Sequence, residues 1–425
     1  MLAKQSLSPA ENYLVSRVHI RGVDKIADMT DTLVKLDIYE TLDGLVSGMV
    51  ALNDTIGVVD DLLMMGYEAI DIEFASGVGN TYERVFKKSF RLTNISRSQN
   101  GPSSQEFILI TFANNMIVTN DLIKRPYVFK ATSISAMIKA ILDGMGDETP
   151  TYEIEDTLYQ RDYVRHIAKP LDTIFDLKDH ASSRDSDSCH FLFYEDRDSV
   201  KFKSLGTLRA QDYDFIIRKG ASTGDEKFDG GDTNILTAIR ISIPEQTNVE
   251  QMSSGMYGTR TISHSLIRKK LVTSDIKRTQ YADTMGVMNA VPHMFTSPEA
   301  LAPEMIETEQ PLNVIQTMPA DGFYLKSDTH TLGNVQGVGY MEDTYINAKK
   351  ITVEIAGNTN LTVGNVVWMD YASIQSEGTA SIMASGKWLI HDIRHSVDQM
   401  AKVFKTTIDL VNDSTPMNAV AGAQQ

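Results

Sequence analysis

Apolar residues recur at every second position through much of the first 115 residues, the period of a half-buried strand. Six such runs stand out: Tyr13–Ile20, Leu33–Glu40, Val46–Leu52, Glu68–Ala75, Phe86–Ile95 and Gln105–Phe112. In Leu33–Glu40 the side chains of Val34, Leu36 and Ile38 share one face, and Lys35, Asp37 and Tyr39 the other. Polar or glycine-rich breaks separate the runs: Asp43-Gly44, Asn53-Asp54, Gly77–Asn80 and Ser98–Pro102. Evenly spaced strands without a long helix predict a small antiparallel barrel or sandwich.

The pattern changes near residue 119. Ile134, Met137, Ile138, Ile141 and Leu142 have helical spacing within Thr132–Met145, with Ser135 near the start and Gly144 and Gly146 at the end. Lys169–Ala181 is a second helix with Pro170 at its first position. Cys189–Glu195 and Val200–Leu205 then form a hairpin across Asp196-Arg197-Asp198. Strand character returns in Ile235–Ile243 and Met256–Val272, and is lost between 276 and 322, where Pro292, Pro298, Pro303, Pro311 and Pro319 fall. Strands resume from 323 with Ala348–Ala356 and Asn365–Tyr371. A long hairpin follows, Gly386–His395 and Phe404–Leu410, with Ser396–Lys402 as its turn. Residues 414–425 read as a flexible tail. Gly333, Gly337 and Gly339 lack dinucleotide-binding spacing and read as turn glycines.

The two hairpins resemble each other. Phe90–Arg97 matches Trp388–His395 at an offset of 298, and Gly66 and Gly364 keep that offset ahead of a strand. Phe107–Asn115 matches Phe404–Asn412 if the second turn is one residue shorter. The chain thus reads as two copies of one barrel. The fold expected is mainly β with α+β insertions. Residues 10–118 make the first tube-forming barrel and 119–205 an α+β insert. Residues 206–275 and 323–413 make the second barrel with adjoining strands, and 276–322 is an irregular insertion.

Composition narrows the function. No window holds eighteen consecutive apolar residues, and the N-terminus carries no apolar run of signal-peptide length, so assembly in a cytoplasm without membrane insertion is expected. A net charge of −16 argues against gripping nucleic acid, but suits a wall past which nucleic acid slides. The single cysteine, Cys189, excludes intramolecular disulfides and reads as a buried thiol in a strand, with His190 on the opposite face. His391-Asp392-Ile393-Arg394-His395 looks like a zincin signature with Asp for Glu, but that chemistry needs a helix and a third ligand, and these flanks favour a strand. No Walker loop or nucleophile elbow is present, and the acidic pairs Asp60-Asp61, Glu153 with Glu155 and Asp185 with Asp187 read as solvated surface. No catalytic, cofactor or metal residue is assigned, and an enzyme is not expected.

Together, Gly364–Val367, Gly386–His395 and Phe404–Leu410 resemble the closing hairpin of the central baseplate hub proteins of contractile-tailed phages, relatives of the base of type VI secretion spikes. Phe191–Glu195, Phe202–Leu205, Met256–Thr259 and Leu36–Glu73 are similar to further segments of that family. The resemblance implies a homotrimer whose two barrels per chain form a pseudo-sixfold ring. Such a ring adapts the sixfold tail tube to the threefold spike and leaves a channel for DNA. It implies a place in the virion's tail baseplate, beside a trimeric spike, a tail tube or tube-initiator protein, a tape-measure protein and baseplate wedge proteins. A related injection machine (a tailocin or secretion spike) and a tail-associated cell-wall hydrolase are the alternatives.

Overall fold

In a computed structural model the described residues are 13–22, 24–55, 57–78, 81–99, 106–146, 151–219, 235–243, 256, 258–265, 270–277, 286–289, 291–292, 313–317, 329–371 and 384–415. All six N-terminal runs are strands: β1 (Tyr13–Arg21), preceding a short β2 (Ile26–Asp28), then β3 (Leu33–Thr41), β4 (Ser47–Asp54), β5 (Ala69–Val78), β6 (Thr81–Gln99) and β7 (Glu106–Ala113). They pair antiparallel in the order β2-β1-β5-β6-β7-β4-β3. Helix α1 (Val58–Asp61) joins β4 to β5, and α2 (Asn115–Leu122) follows β7, capped by the Asn114 side chain accepting from Met116 N at 2.7 Å. The β3 reading needs two corrections. Its pairing with β4 shifts between Leu33 and Lys35, so Val34 sits at a bulge and is half-buried, apart from Leu36 and Ile38. Asp37, expected in solvent, is fully buried beneath Lys35 and Arg394.

The insert packs its own core between β8 (Arg125–Ser133), helix α3 (Ile134–Asp143), β9 (Tyr152–Ile154), β10 (Gln160–Ala168), α4 (Pro170–Lys178), β11 (Phe191–Glu195) and β12 (Val200–Ser204). Ile134, Met137, Ile138, Ile141 and Leu142 are all buried, as their spacing requires. The α3 cap is Ser133, whose side chain accepts from Ala136 N. Cys189 and His190 lie in the loop before β11 and not on a strand, so strand alternation does not separate them; burial pushes the thiol up to about 12.

After α5 (Leu205–Arg209) come β13 (Tyr213–Lys219), β14 (Ile235–Ser242), β15 (Gly258–Ser265), β16 (Lys270–Lys277), β17 (Val291–Pro292) and β18 (Asn313–Thr317). Helix α6 (Thr329–Ile346) precedes β19 (Lys349–Ala356), β20 (Val366–Asp370), β21 (Gly386–Asp398), β22 (Val403–Asn412) and β23 (Ser414–Thr415). Strands β13, β14, β19, β22, β21 and β20 close a six-stranded barrel around Trp388, Leu389, Ile390, Val353 and Ile408. The Met256–Val272 run does not join it: β15, β16 and β18 form a separate sheet against α6. Most of 276–322 and of the 414–425 tail lies outside the described residues.

Helix α6 overturns the reading of Gly333, Gly337 and Gly339 as turn glycines, since all three lie within it. At two of them the reason is close approach. A β-carbon on Gly337 would meet Ile276 Cδ1 at 2.3 Å, and one on Gly339 the Cys189 carbonyl oxygen at 2.8 Å. That proximity delivers Glu342. Its Oε2 accepts from Cys189 N at 2.8 Å, His190 N at 2.9 Å and Ser188 Oγ at 3.0 Å. Its Oε1 lies 3.1 Å from Arg209 Nη1, and Arg209 Nε lies 2.8 Å from Asp413 Oδ2. Arg209, Glu342 and Asp413 are all buried, so this charge cluster joins the insert, α6 and the second barrel.

Candidate assembly interface

The first barrel does not close through its own strands. Strand β21 extends it beyond β3, and among the described residues no strand pairing joins β21 or β22 to β1. The first part of β21 pairs with β20, from Gly386↔Met369 to Leu389↔Val366. Beyond a bulge at His391 it leaves β20 and pairs with β3, from Asp392↔Thr41 to Asp398↔Lys35. A bulge bends a strand and increases its twist, which is what a strand shared by two barrels needs. The distal hairpin therefore contributes to the first core, where Val397 and Phe404 are buried among β1, β3 and β5 residues. The Phe404 ring lies 5.7 Å from that of Phe74 and 6.1 Å from that of Tyr13, and the Tyr13 hydroxyl donates to Gln399 Oε1 at 3.1 Å.

The repeat is visible at residue level. Strand β6 pairs with β7 through Arg91↔Ala113 and Leu92↔Phe112, skips Thr93, and resumes at Asn94↔Thr111. Strand β21 pairs with β22 through Leu389↔Val411 and Ile390↔Leu410, skips His391, and resumes at Asp392↔Asp409. The offset of 298 thus holds in both strands. Phe107 corresponds to Lys405, not to Phe404, which corrects the alignment expected from aromatic matching. Gly66 and Gly364 both take positive φ, +90° and +81°. Spatial order is repeated too: β1-β5-β6-β7-β4-β3 matches β13-β20-β21-β22-β19-β14. One strand breaks the likeness, since β1 runs antiparallel to β5 but β13 parallel to β20.

Polar groups fix the joint. Arg394 donates to Asp37 Oδ2 at 3.0 Å and lies over the Tyr39 ring. Burial alone would raise the Asp37 carboxyl, but hydrogen bonds from Ser396, Arg394 and Lys35 outweigh it and hold the carboxyl below the usual carboxylate range. Glu40 Oε2 accepts from Thr362 Oγ1 at 2.9 Å and from Val363 N at 3.3 Å. The insert locks onto both barrels: Glu195 accepts from Lys88 Nζ at 2.6 Å and from Val46 N at 3.0 Å, and Arg197 donates to the Thr359 carbonyl at 2.8 Å. Sequence reasoning gave these residues no role in joining the barrels. The available signal was Glu40, a carboxylate on the same face as Leu36 and Ile38.

Burial pushes the Glu40 carboxyl up from 4.5 to about 7, with Lys88 and the Thr362 hydrogen bond opposing. Between those values folded Glu40 keeps a proton that the unfolded chain has released. Its contribution to stability is therefore complete below about pH 4.5 and lost as pH rises through about 7. Glu40→Gln keeps the shape and removes the titration. Across that window wild type should lose about 3 kcal/mol relative to the variant. Denaturant unfolding at stepped pH checks this; parallel pH profiles for the two proteins would contradict it.

His391 and His395 both lie on β21, a strand and not a helix. His391 Nδ1 is 2.8 Å from Asp392 Oδ2 at the bulge. His395 is buried between Phe74 and Phe404 and hydrogen-bonds Thr406 Oγ1 at 3.0 Å; burial pushes it down to about 3. Among the described residues no three His, Cys, Asp or Glu side chains cluster as a metal site. Of the acidic pairs, Asp60 and Asp61 meet Arg97 and Lys25, and Glu153 meets Lys203, all near the surface. Glu155 does not fit the surface reading: it accepts from Ser183 Oγ and from Ser204 N and Oγ.

No family model matches the chain. It is 52% identical over 425 residues, the whole of both chains, to the protein named probable baseplate hub protein gp334 of Vibrio phage KVP40. Among solved structures it is similar to the tail protein from Neisseria meningitidis MC58, with a TM-score of 0.57 and 8% identity over 95% of this chain and 97% of that one. The 43 kDa tail protein of prophage MuSo2 from Shewanella oneidensis gives 0.55 and 10% over 94% and 99%. The Francisella PdpA–VgrG complex in its lidded form gives 0.51 and 10%, over 97% of this chain and 55% of that one. These structural likenesses bear on the fold. The full-length identity to the Vibrio phage protein shows that the chain belongs to the family of phage baseplate hub proteins.

Proposed function

We propose that this chain is a structural hub of a virion's tail baseplate, working as a trimeric ring between a sixfold tail tube and a threefold spike, with a channel for DNA. The observation that carries the reading is the double barrel: two barrels of one strand order, joined through a shared hairpin, let three chains present six similar units. Full-length identity to a baseplate hub protein supports the location. Each chain's charge of −16 fits a wall that does not hold DNA. We assign 10–118 and 206–275 with 323–413 to the two tube-forming domains, 119–205 to the insert between them, and 276–322 to peripheral attachment. The partners are a trimeric spike, the tail tube or its initiator, the tape-measure protein and the baseplate wedges. The role involves no chemical turnover. Light scattering should give the mass of three chains, alone or with the spike. A strict monomer in the presence of the spike would overturn the trimer.

A further inference from the structure

The joint between the barrels of one chain has an unused counterpart on each side. Strand β5 pairs with β6 only as far as Arg91, the residue matching Leu389, where β20 leaves β21. Past that point β21 is covered by β3. The matching stretch of β6, Asn94–Ser98, has β7 on one side and, among the described residues, no strand on the other. Beside it runs an open groove lined by Leu63, Met65, Thr93, Ile95 and Arg97. Leu63 is 79% and Met65 91% exposed. In the second barrel the position matching Met65 is Val363, which is buried and donates to Glu40. A β-carbon on Gly364 would meet the Tyr194 hydroxyl at 2.5 Å, whereas nothing lies within 4 Å at Gly66.

The other half of the joint is equally legible. In the second barrel β14 stands where β3 stands in the first. Strand β3 pairs with β4 through Leu33↔Leu52 and Lys35↔Ala51, skipping Val34. Strand β14 pairs with β19 through Ala238↔Ile355 and Arg240↔Glu354, skipping Ile239. The shared bulge equates Leu36, Asp37 and Ile38 with Ile241, Ser242 and Ile243. Strand β13 covers β14 only from Ile235 to Ala238. Beyond that, among the described residues, no strand lies on that side, and Ile239 and Ile243 are 55% and 46% exposed. An apolar strand edge left open is a template for pairing with another chain.

We infer that a second copy of this chain seats its β14 edge at Ile241–Ile243 against the β6 edge at Arg97–Gln99, repeating between chains the joint that β3 and β21 make within one. The inference rests on the ring reading above and names the surface that builds it. The occupant is a second copy because both halves of the contact already exist, joined, inside each chain. Transferring Ser396↔Asp37 and His395↔Ile38 predicts Ser98 opposite Ser242 and Arg97 opposite Ile243. Directly opposed antiparallel residues have Cα atoms roughly 4.5–5.5 Å apart, within disulfide reach.

The test places Ser98→Cys and Ser242→Cys together in a Cys189→Ser background, with Arg97→Cys plus Ile243→Cys as a second pair. Tails assembled from each are oxidised and run on a non-reducing gel. We expect a ladder ending at three chains for at least one pair and none for the single substitutions. A ladder ending at another number supports the contact but overturns the three-chain ring. Tails that contain the chain but yield no cross-link from either pair overturn the contact and leave the hub reading standing.

Discussion

Replacing Phe404 with alanine should cost about 3–5 kcal/mol, because it empties a fully buried aromatic site. The location of the damage is more telling than its size. Phe404 lies on β22, in the second copy of the repeat, yet its ring packs against Phe74 and Tyr13 of the first barrel. Its other side lies against Gly357, where a β-carbon would meet the ring at 2.0 Å. Hydrogen exchange in Phe404→Ala should therefore lose protection in β1 and β5 as well as in the hairpin. Loss confined to β21 and β22 would mean that the first barrel's core forms without them.

The strands of that first barrel were legible because one face is buried and the other is not, so period two survives in the sequence. Leu36 and Ile38, or Ile108 and Ile110, announce themselves. The sharing of the hairpin was not legible. Nothing local in Asp392–Asp398 says that its edge will pair with β3, more than 350 residues earlier. Helix α6 was hidden for a different reason. Gly333, Gly337 and Gly339 carry the signal of a turn, and only the tertiary approach of Cys189 and Ile276 explains glycine inside a helix. The repeat was legible in outline, but aromatic matching aligned Phe107 with Phe404. The paired bulges at Thr93 and His391 set the true register, and a bulge leaves no mark in residue type. The joint's own residues escaped because Glu40, Asp37 and Glu195 are charged, and charge alone reads as surface.

The second large effect is expected at Arg209. Arg209→Met keeps an unbranched apolar stem and removes the cation between Glu342 and Asp413, leaving both carboxylates buried without it. Breaking a buried ion pair from one side costs about 3–5 kcal/mol, a large share of a typical domain's stability. Burial already raises the Glu342 carboxyl, with Arg209 the main opposing influence. Without Arg209 that carboxyl rises further, so the variant's folded state holds protons that its unfolded state releases. Its deficit should shrink as the pH falls towards the ordinary carboxylate range. A deficit independent of pH would indicate lost packing instead. Adding Glu342→Gln should restore part of the stability, since the amide removes one stranded charge.

The central claim is that two barrels per chain allow three chains to make a ring of six similar units. A low-resolution image of the purified protein, averaged without imposed symmetry, tests it most directly. The account predicts a ring of six lobes around an open channel, with the inserts breaking the sixfold pattern into three. Isolated two-lobed particles, or a ring in which the lobes do not number six, would contradict it.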